Sequence, residues 1–123
     1  MVDLTQDELI RLRSDGGAVV AQVVNGTFRE ERKILAALER LGNIIDSRKN
    51  VFIVLDMENV EYLSSAGLGR LVALLKKAMA GGGCLHLAGL REEIRELFDV
   101  MRLGQIFKMF DDVDSAIAAF EQQ

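Results

Sequence analysis

The chain has 123 residues, half of them hydrophobic, with 19 acidic and 15 basic side chains, a net charge of −4, no proline and one cysteine. A chain of this length is expected to form one domain over residues 1–123 with a real core, and an acidic balance without a Lys/Arg cluster argues against nucleic-acid binding. Cys84 alone excludes an internal disulfide or a cysteine metal cluster, no apolar run approaches the roughly 18–20 residues that span a bilayer, and the start is polar and acidic, so the chain is expected to be cytoplasmic.

In chain order, residues 9–13 and 18–24 are predicted as two strands of a hairpin joined through Asp15-Gly16-Gly17. Residues 30–45 follow as an amphipathic helix, with Ile34, Leu35, Leu38, Leu41 and Ile45 as its apolar stripe and Glu31, Arg32, Lys33, Glu39 and Arg40 on the wet face. Val51-Phe52-Ile53-Val54-Leu55 is a continuous apolar run, the pattern of a strand buried on both faces, and Asp56 is predicted at its exposed end.

A helix is predicted over 66–80, with Leu68, Leu71, Val72, Leu75 and Met79 at helical spacing and Gly81-Gly82-Gly83 as its stop. Residues 84–88 read as a strand holding a buried structural thiol at Cys84, residues 91–101 as a helix with Ile94, Leu97, Phe98 and Met101 as its apolar positions, 106–110 as an edge strand and 113–120 as a closing helix. Alternation of strands and helices predicts an α/β domain with a largely parallel sheet.

Between the strand ending at Asp56 and the helix stands Met57-Glu58-Asn59-Val60-Glu61-Tyr62-Leu63-Ser64-Ser65-Ala66-Gly67-Leu68-Gly69. Ser64 and Ser65 therefore sit at a helix N-terminus, where unpaired N–H groups and the positive end of the macrodipole favour an oxygen or an anion. A plain N-cap accounts for either serine; a modifiable hydroxyl is the functional alternative, since phosphorylation adds about 1.5–2 negative charges where the helix tolerates them. Gly67 and Gly69 fit either close approach by a partner protein or a tight first turn against the sheet. Asp56 is read either as a turn residue or as part of a ligand or partner site at the carboxyl end of a strand, with Met57 exposed beside it.

The segment Tyr62-Leu63-Ser64-Ser65-Ala66-Gly67-Leu68-Gly69 after a strand ending in Asp56 resembles the signature of STAS domains, the anti-sigma factor antagonist family, and the likeness runs from about Val19 to Phe120. The resemblance implies a STAS-type fold, a mixed and largely parallel sheet of four to five strands with about four helices. It implies that Ser65 is the phosphorylated serine, with Ser64 as the second candidate. Ser64 stands where phosphorylated members commonly carry Asp. It further implies a partner surface made of Asp56, Met57, Ser64, Ser65, Ala66, Gly67 and Leu68 together with the loop Gly26-Thr27-Phe28-Arg29. In that loop many members have Gly-x-Leu-Asp, and a basic residue replaces the acidic one here, which points to a different or re-tuned partner.

The implied partners are an anti-sigma factor that is a serine kinase of the histidine-kinase-like ATPase type, and a PP2C-type phosphatase that resets the cycle. No cofactor or metal is implied. The competing expectation is a STAS-type module that is not phosphorylated and binds a nucleotide or lipid, or serves in a scaffold or transport complex. A site concave around Ser65 would favour that alternative, a flat one the docking surface.

Independent catalysis is not expected. His86, the only histidine, lies mid-strand and reads as a satisfied structural residue. The tri-glycine ends a helix instead of opening one. Asp111, Asp112 and Asp114 precede the last helix, with Asp112 as a plausible cap.

Overall fold

The computed structural model describes residues 2–6, 10–25 and 27–121. Among them is a six-stranded sheet in sequential order, β1 (Val2–Gln6), β2 (Ile10–Asp15), β3 (Ala18–Val23), β4 (Phe52–Asp56), β5 (Cys84–Ala88) and β6 (Lys108–Phe110). The first three strands pair antiparallel and β3 through β6 pair parallel. The helices are α1 (Glu31–Asp46), α2 (Ser65–Ala80), α3 (Glu92–Val100) and α4 (Val113–Phe120). The expected class, parallel half and four helices are present, and the sheet carries β1 in addition to the expected strands. Only Val2 and Leu4 are large and apolar in β1, so no run marks it; its pairing with β2 also breaks register between Asp3 and Thr5.

The β2–β3 hairpin closes through Gly16 and Gly17, both at positive φ (59° and 84°), as a two-residue turn matched to strand twist requires. Leu9, the expected first residue of its first strand, lies outside the described residues. Alternation along β4 and β5 sends Ile53, Leu55, Leu85 and Leu87 to one face, beneath α1, α2 and α3. Val54 and Ala88 point to the other face, against Ala116 of α4. The central strands are thus covered on both sides, which is why they read as unbroken apolar runs.

Three local expectations need correcting. On α2 the buried stripe is Leu68, Leu71, Leu74, Leu75 and Ala78, and Met79 is exposed, because the helix is rotated to set Leu74 against α1 at Gly42. Met101 is likewise exposed, since α3 ends one residue before it. Cys84 is half-buried, lying at the open amino end of β5.

His86 is fully buried on the α4 side. Its Nδ1–H donates to the Ala116 carbonyl at 3.0 Å, and its ring stacks on Phe120 with centroids 3.9 Å apart. Burial, reinforced by the nearby Lys108 charge, holds its pKa below the ordinary imidazole value against the opposing pull of the Ala116 hydrogen bond. Below the unfolded-state value of about 6.5 the unfolded chain takes up a proton that the native state resists, so stability is full above that pH and falls as pH drops through it. Denaturant midpoints measured from pH 7.5 to 5 should decline in the wild type. They should decline less in His86→Phe, since no other histidine titrates in that window.

Candidate functional site

The carboxyl end of β4 leads into the serine-bearing loop. The ladder continues one residue past the strand, Met57 N–H donating to the Ala88 carbonyl at 2.9 Å, so Met57 lies on the same face as Leu55 and is 1% exposed in the main core. Asp56 is also buried, 8% exposed, its Oδ1 accepting the Glu58 N–H at 3.1 Å. Neither residue offers the exposed contact expected of it, because strand alternation persists through both positions, sending Met57 into the core and Asp56 to the opposite face of the sheet.

The loop is tied down along its length. Asn59 Nδ2 donates to the Val23 carbonyl at 3.3 Å, and Val60 N–H to the Met57 carbonyl at 3.0 Å. Arg91, just before α3, donates from Nε to the Glu58 carbonyl at 3.1 Å and pairs with Glu61 at 3.8 Å. Sequence reasoning passed over Arg91 because its partners lie some thirty residues upstream and share no local pattern with it.

The two serines then take different roles. Ser64, half-buried with extended backbone (φ −78°, ψ 167°), is the N-cap of α2, and its Oγ accepts the Gly67 N–H at 3.0 Å. Ser65 is the first helical residue, exposed, and makes no side-chain hydrogen bond among the described residues. The plain capping role therefore falls to Ser64 and leaves the Ser65 hydroxyl accessible. Ser64→Ala should cost about 1 kcal/mol, read as a lower urea midpoint at unchanged slope.

Gly67 is buried, and a Cβ there would come 2.8 Å from Leu63 Cδ1, so its smallness serves the tight first turn. Leu68 is a core residue, 5% exposed. Ala66 and Gly69 are exposed, with open space around Gly69. Of the expected partner surface, Ser65 and Ala66 are presented fully and Ser64 in part, while Met57, Gly67 and Leu68 are buried and Asp56 is turned to the other face of the sheet.

Helices α1 and α2 lie side by side and parallel. Glu39 pairs with Arg70 at 3.5 Å and Asp46 with Lys77 at 2.8 Å, while at their starts Glu31, Ile34 and Leu35 share a shallow groove with Tyr62, Leu63, Ser64 and Gly67. The segment before α1 therefore stands beside the serines: Phe28–Glu30 forms a 3-10 turn, Glu30 N–H donates to the Thr27 carbonyl at 3.1 Å, and Arg29 is exposed. Thr27 is half-buried, its N–H donating to Asn25 Oδ1 at 3.4 Å. Gly26 lies outside the described residues, as does the side chain of Phe28. Tyr62, exposed at 37% on the rim of the groove, was not among the predicted contacts.

Two helix N-termini thus point to one edge, and α2 has no acidic residue in its first turn to neutralise its dipole. The groove beside Ser64 encloses only about 10 Å³, too little for a small-molecule ligand, and Ser65 lies outside it.

Residues 32–116, more than half of the sequence, match the family model described as the STAS domain. The chain belongs to the STAS domain family. A curated relative of this STAS domain is a Bordetella bronchiseptica protein, BtrV, described as a candidate anti-sigma factor antagonist, 33% identical over 69 residues. The match takes in 56% of the present chain and spans 60% of that relative's length.

The same fold is found in a candidate anti-sigma factor antagonist from Thermotoga maritima, with a TM-score of 0.76 and 18% identity over 93% of this chain and 96% of that one. It is also found in the Bacillus cell fate determinant SpoIIAA in its phosphorylated form, with a TM-score of 0.61 and 18% identity over 89% of this chain and 97% of that one. At such identities these likenesses speak to the fold. Among the described residues of this STAS domain no helix is long and apolar enough to cross a membrane, and no three His, Cys, Asp or Glu side chains come together as a metal-binding group.

Proposed function

We propose that this STAS domain is an anti-sigma factor antagonist, a protein-binding switch and not an enzyme. Unmodified, it captures an anti-sigma factor of the serine-kinase, histidine-kinase-like ATPase type and so frees a sigma factor. Phosphorylation of Ser65 by that kinase ends the complex, and a PP2C-type phosphatase restores it.

The observation that carries this reading is the exposed Ser65 hydroxyl at the start of α2, without a hydrogen bond among the described residues and beside a second helix N-terminus. A phosphate there meets unneutralised helix dipole, so the fold accepts it. A docked protein would have to desolvate the same dianion. That costs several kcal/mol unless a cation answers it, and ~1.4 kcal/mol is already tenfold in affinity. The sequence relative described as an antagonist, and the solved phosphorylated SpoIIAA of the same fold, support the same assignment.

The exposed surface residues in this reading are Ser65, Ala66, Tyr62 and Arg29, with Thr27, Phe28 and Gly26 in the adjoining loop. The test is a displacement assay: each kinase-type anti-sigma factor of the source organism is bound to its sigma factor and the unmodified protein is added. The switch predicts that free sigma factor elutes from one of these complexes on size exclusion. Intact complexes throughout would reject it.

A further inference from the structure

On the side of the sheet away from α1 and α2, the carboxyl ends of β4, β5 and β6 open into a cleft of about 420 Å³, within the size range of small-ligand sites. Four carboxylates line it (Asp56, Glu58, Asp111 and Asp112) against one guanidinium, that of Arg95, which stands 3.7 Å from Asp111. Asp112 is occupied in capping α4, accepting the Ser115 N–H at 2.7 Å.

Asp56 and Glu58 are not matched in this way. Asp56 as a residue is 8% exposed and lines the cleft; Oδ1 is engaged by the Glu58 N–H, and Oδ2, open to the cleft's solvent, has no hydrogen-bond partner among the described residues. Glu58 is exposed at the cleft and its carboxylate makes no ion pair among the described residues. The remaining walls are apolar, formed by Leu90, Phe110 and Val113. Gly89, also in the lining, has positive φ (69°), a backbone conformation that favours glycine, and packs beside Asp56 and Glu58.

A concave site of one dominant sign with low-dielectric walls concentrates counter-ions and repels like charge. It therefore disfavours nucleotides and phospholipid headgroups. No group of three metal-binding side chains forms among the described residues, and the apolar walls suit carbon better than a hydrated ion.

We propose that this cleft binds an organic cation, a guanidinium or primary ammonium group on a short apolar stem, held by Asp56 Oδ2 and the Glu58 carboxylate with the stem along Leu90 and Phe110. The Phe110 ring adds a cation–π face. The site is separate from Ser65 and does not rest on its phosphorylation. The same chemistry arrives either as a free amine or as an Arg or Lys side chain of a bound protein.

The test is amide NMR of the whole chain titrated with N-butylguanidinium, with acetyl-Gly-Arg-Gly-amide, and with n-butanol as the neutral control. N-butylguanidinium is expected to give saturable shifts at Gly89, Leu90 and Phe110, with low-millimolar affinity, while Ser65 and Ala66 stay still. Glu58→Gln and Asp56→Asn should each weaken binding by about 10-fold or more, as expected for loss of one charged acceptor. Glu58 is exposed, so its variant keeps the test valid should Asp56→Asn disturb the fold. The peptide binding at the same residues assigns the cleft to a protein's basic side chain; the small cation binding alone assigns it to a free amine. Absence of saturable shifts, equal shifts with n-butanol, or unchanged affinity in Glu58→Gln would overturn the proposal.

Discussion

Replacing Phe98 with alanine is expected to destabilise the domain by about 3–5 kcal/mol, which for a small domain is a large share of total stability. Phe98 heads the largest fully buried side chains, and its ring meets Phe107 edge-on with centroids 5.8 Å apart. It carries α3 onto the sheet face that α1 and α2 also cover. Truncation would leave a cavity between three elements that cannot all close on it. Because α3 begins just after Arg91, a loosened α3 would also slacken the hold on Glu58 and Glu61. A urea midpoint lowered by far more than that of Ser64→Ala is the expected reading, and a change below about 1 kcal/mol would show that α3 contributes little.

The second large effect is on binding. Ser65→Glu should weaken capture of the anti-sigma factor by at least about 100-fold, close to 2.7 kcal/mol, because a charge must be desolvated in a protein interface. The fold itself should be unaffected to within about 0.5 kcal/mol, since the residue is exposed and a carboxylate in the first turn of α2 suits the dipole. Ser65→Ala should bind as the wild type does. Titration calorimetry of the three proteins against one anti-sigma factor separates the cases, and a Glu variant of undiminished affinity would remove Ser65 from the interface.

Much of this arrangement is legible in the sequence where local chemistry decides it. The apolar run 51–55, the helical spacing that follows it, the tri-glycine stop and Asp112 as the cap of α4 all depend on neighbours a few residues away. Ser64 and Ser65 are recognisable as a helix start for the same reason.

What stays hidden depends on distant chain. Asp56 and Met57 read as exposed because a turn follows them, yet β5 continues pairing alongside, the core takes Met57, and elements after β6 wall in Asp56. Which serine caps and which stands free depends on one residue of helical phase, finer than periodicity resolves. The acidic cleft gathers side chains from the ends of three strands and from α3. No window of sequence brings Glu58, Arg95 and Asp111 together.

The role of Ser65 is tested most directly by peptide mass spectrometry after incubation with ATP and each kinase-type anti-sigma factor of the source organism, run beside Ser65→Ala. The expected result is a single phosphate on Ser65, absent from the variant and accompanied by loss of kinase binding. A phosphate on Ser64 instead, or none with any kinase, would contradict it.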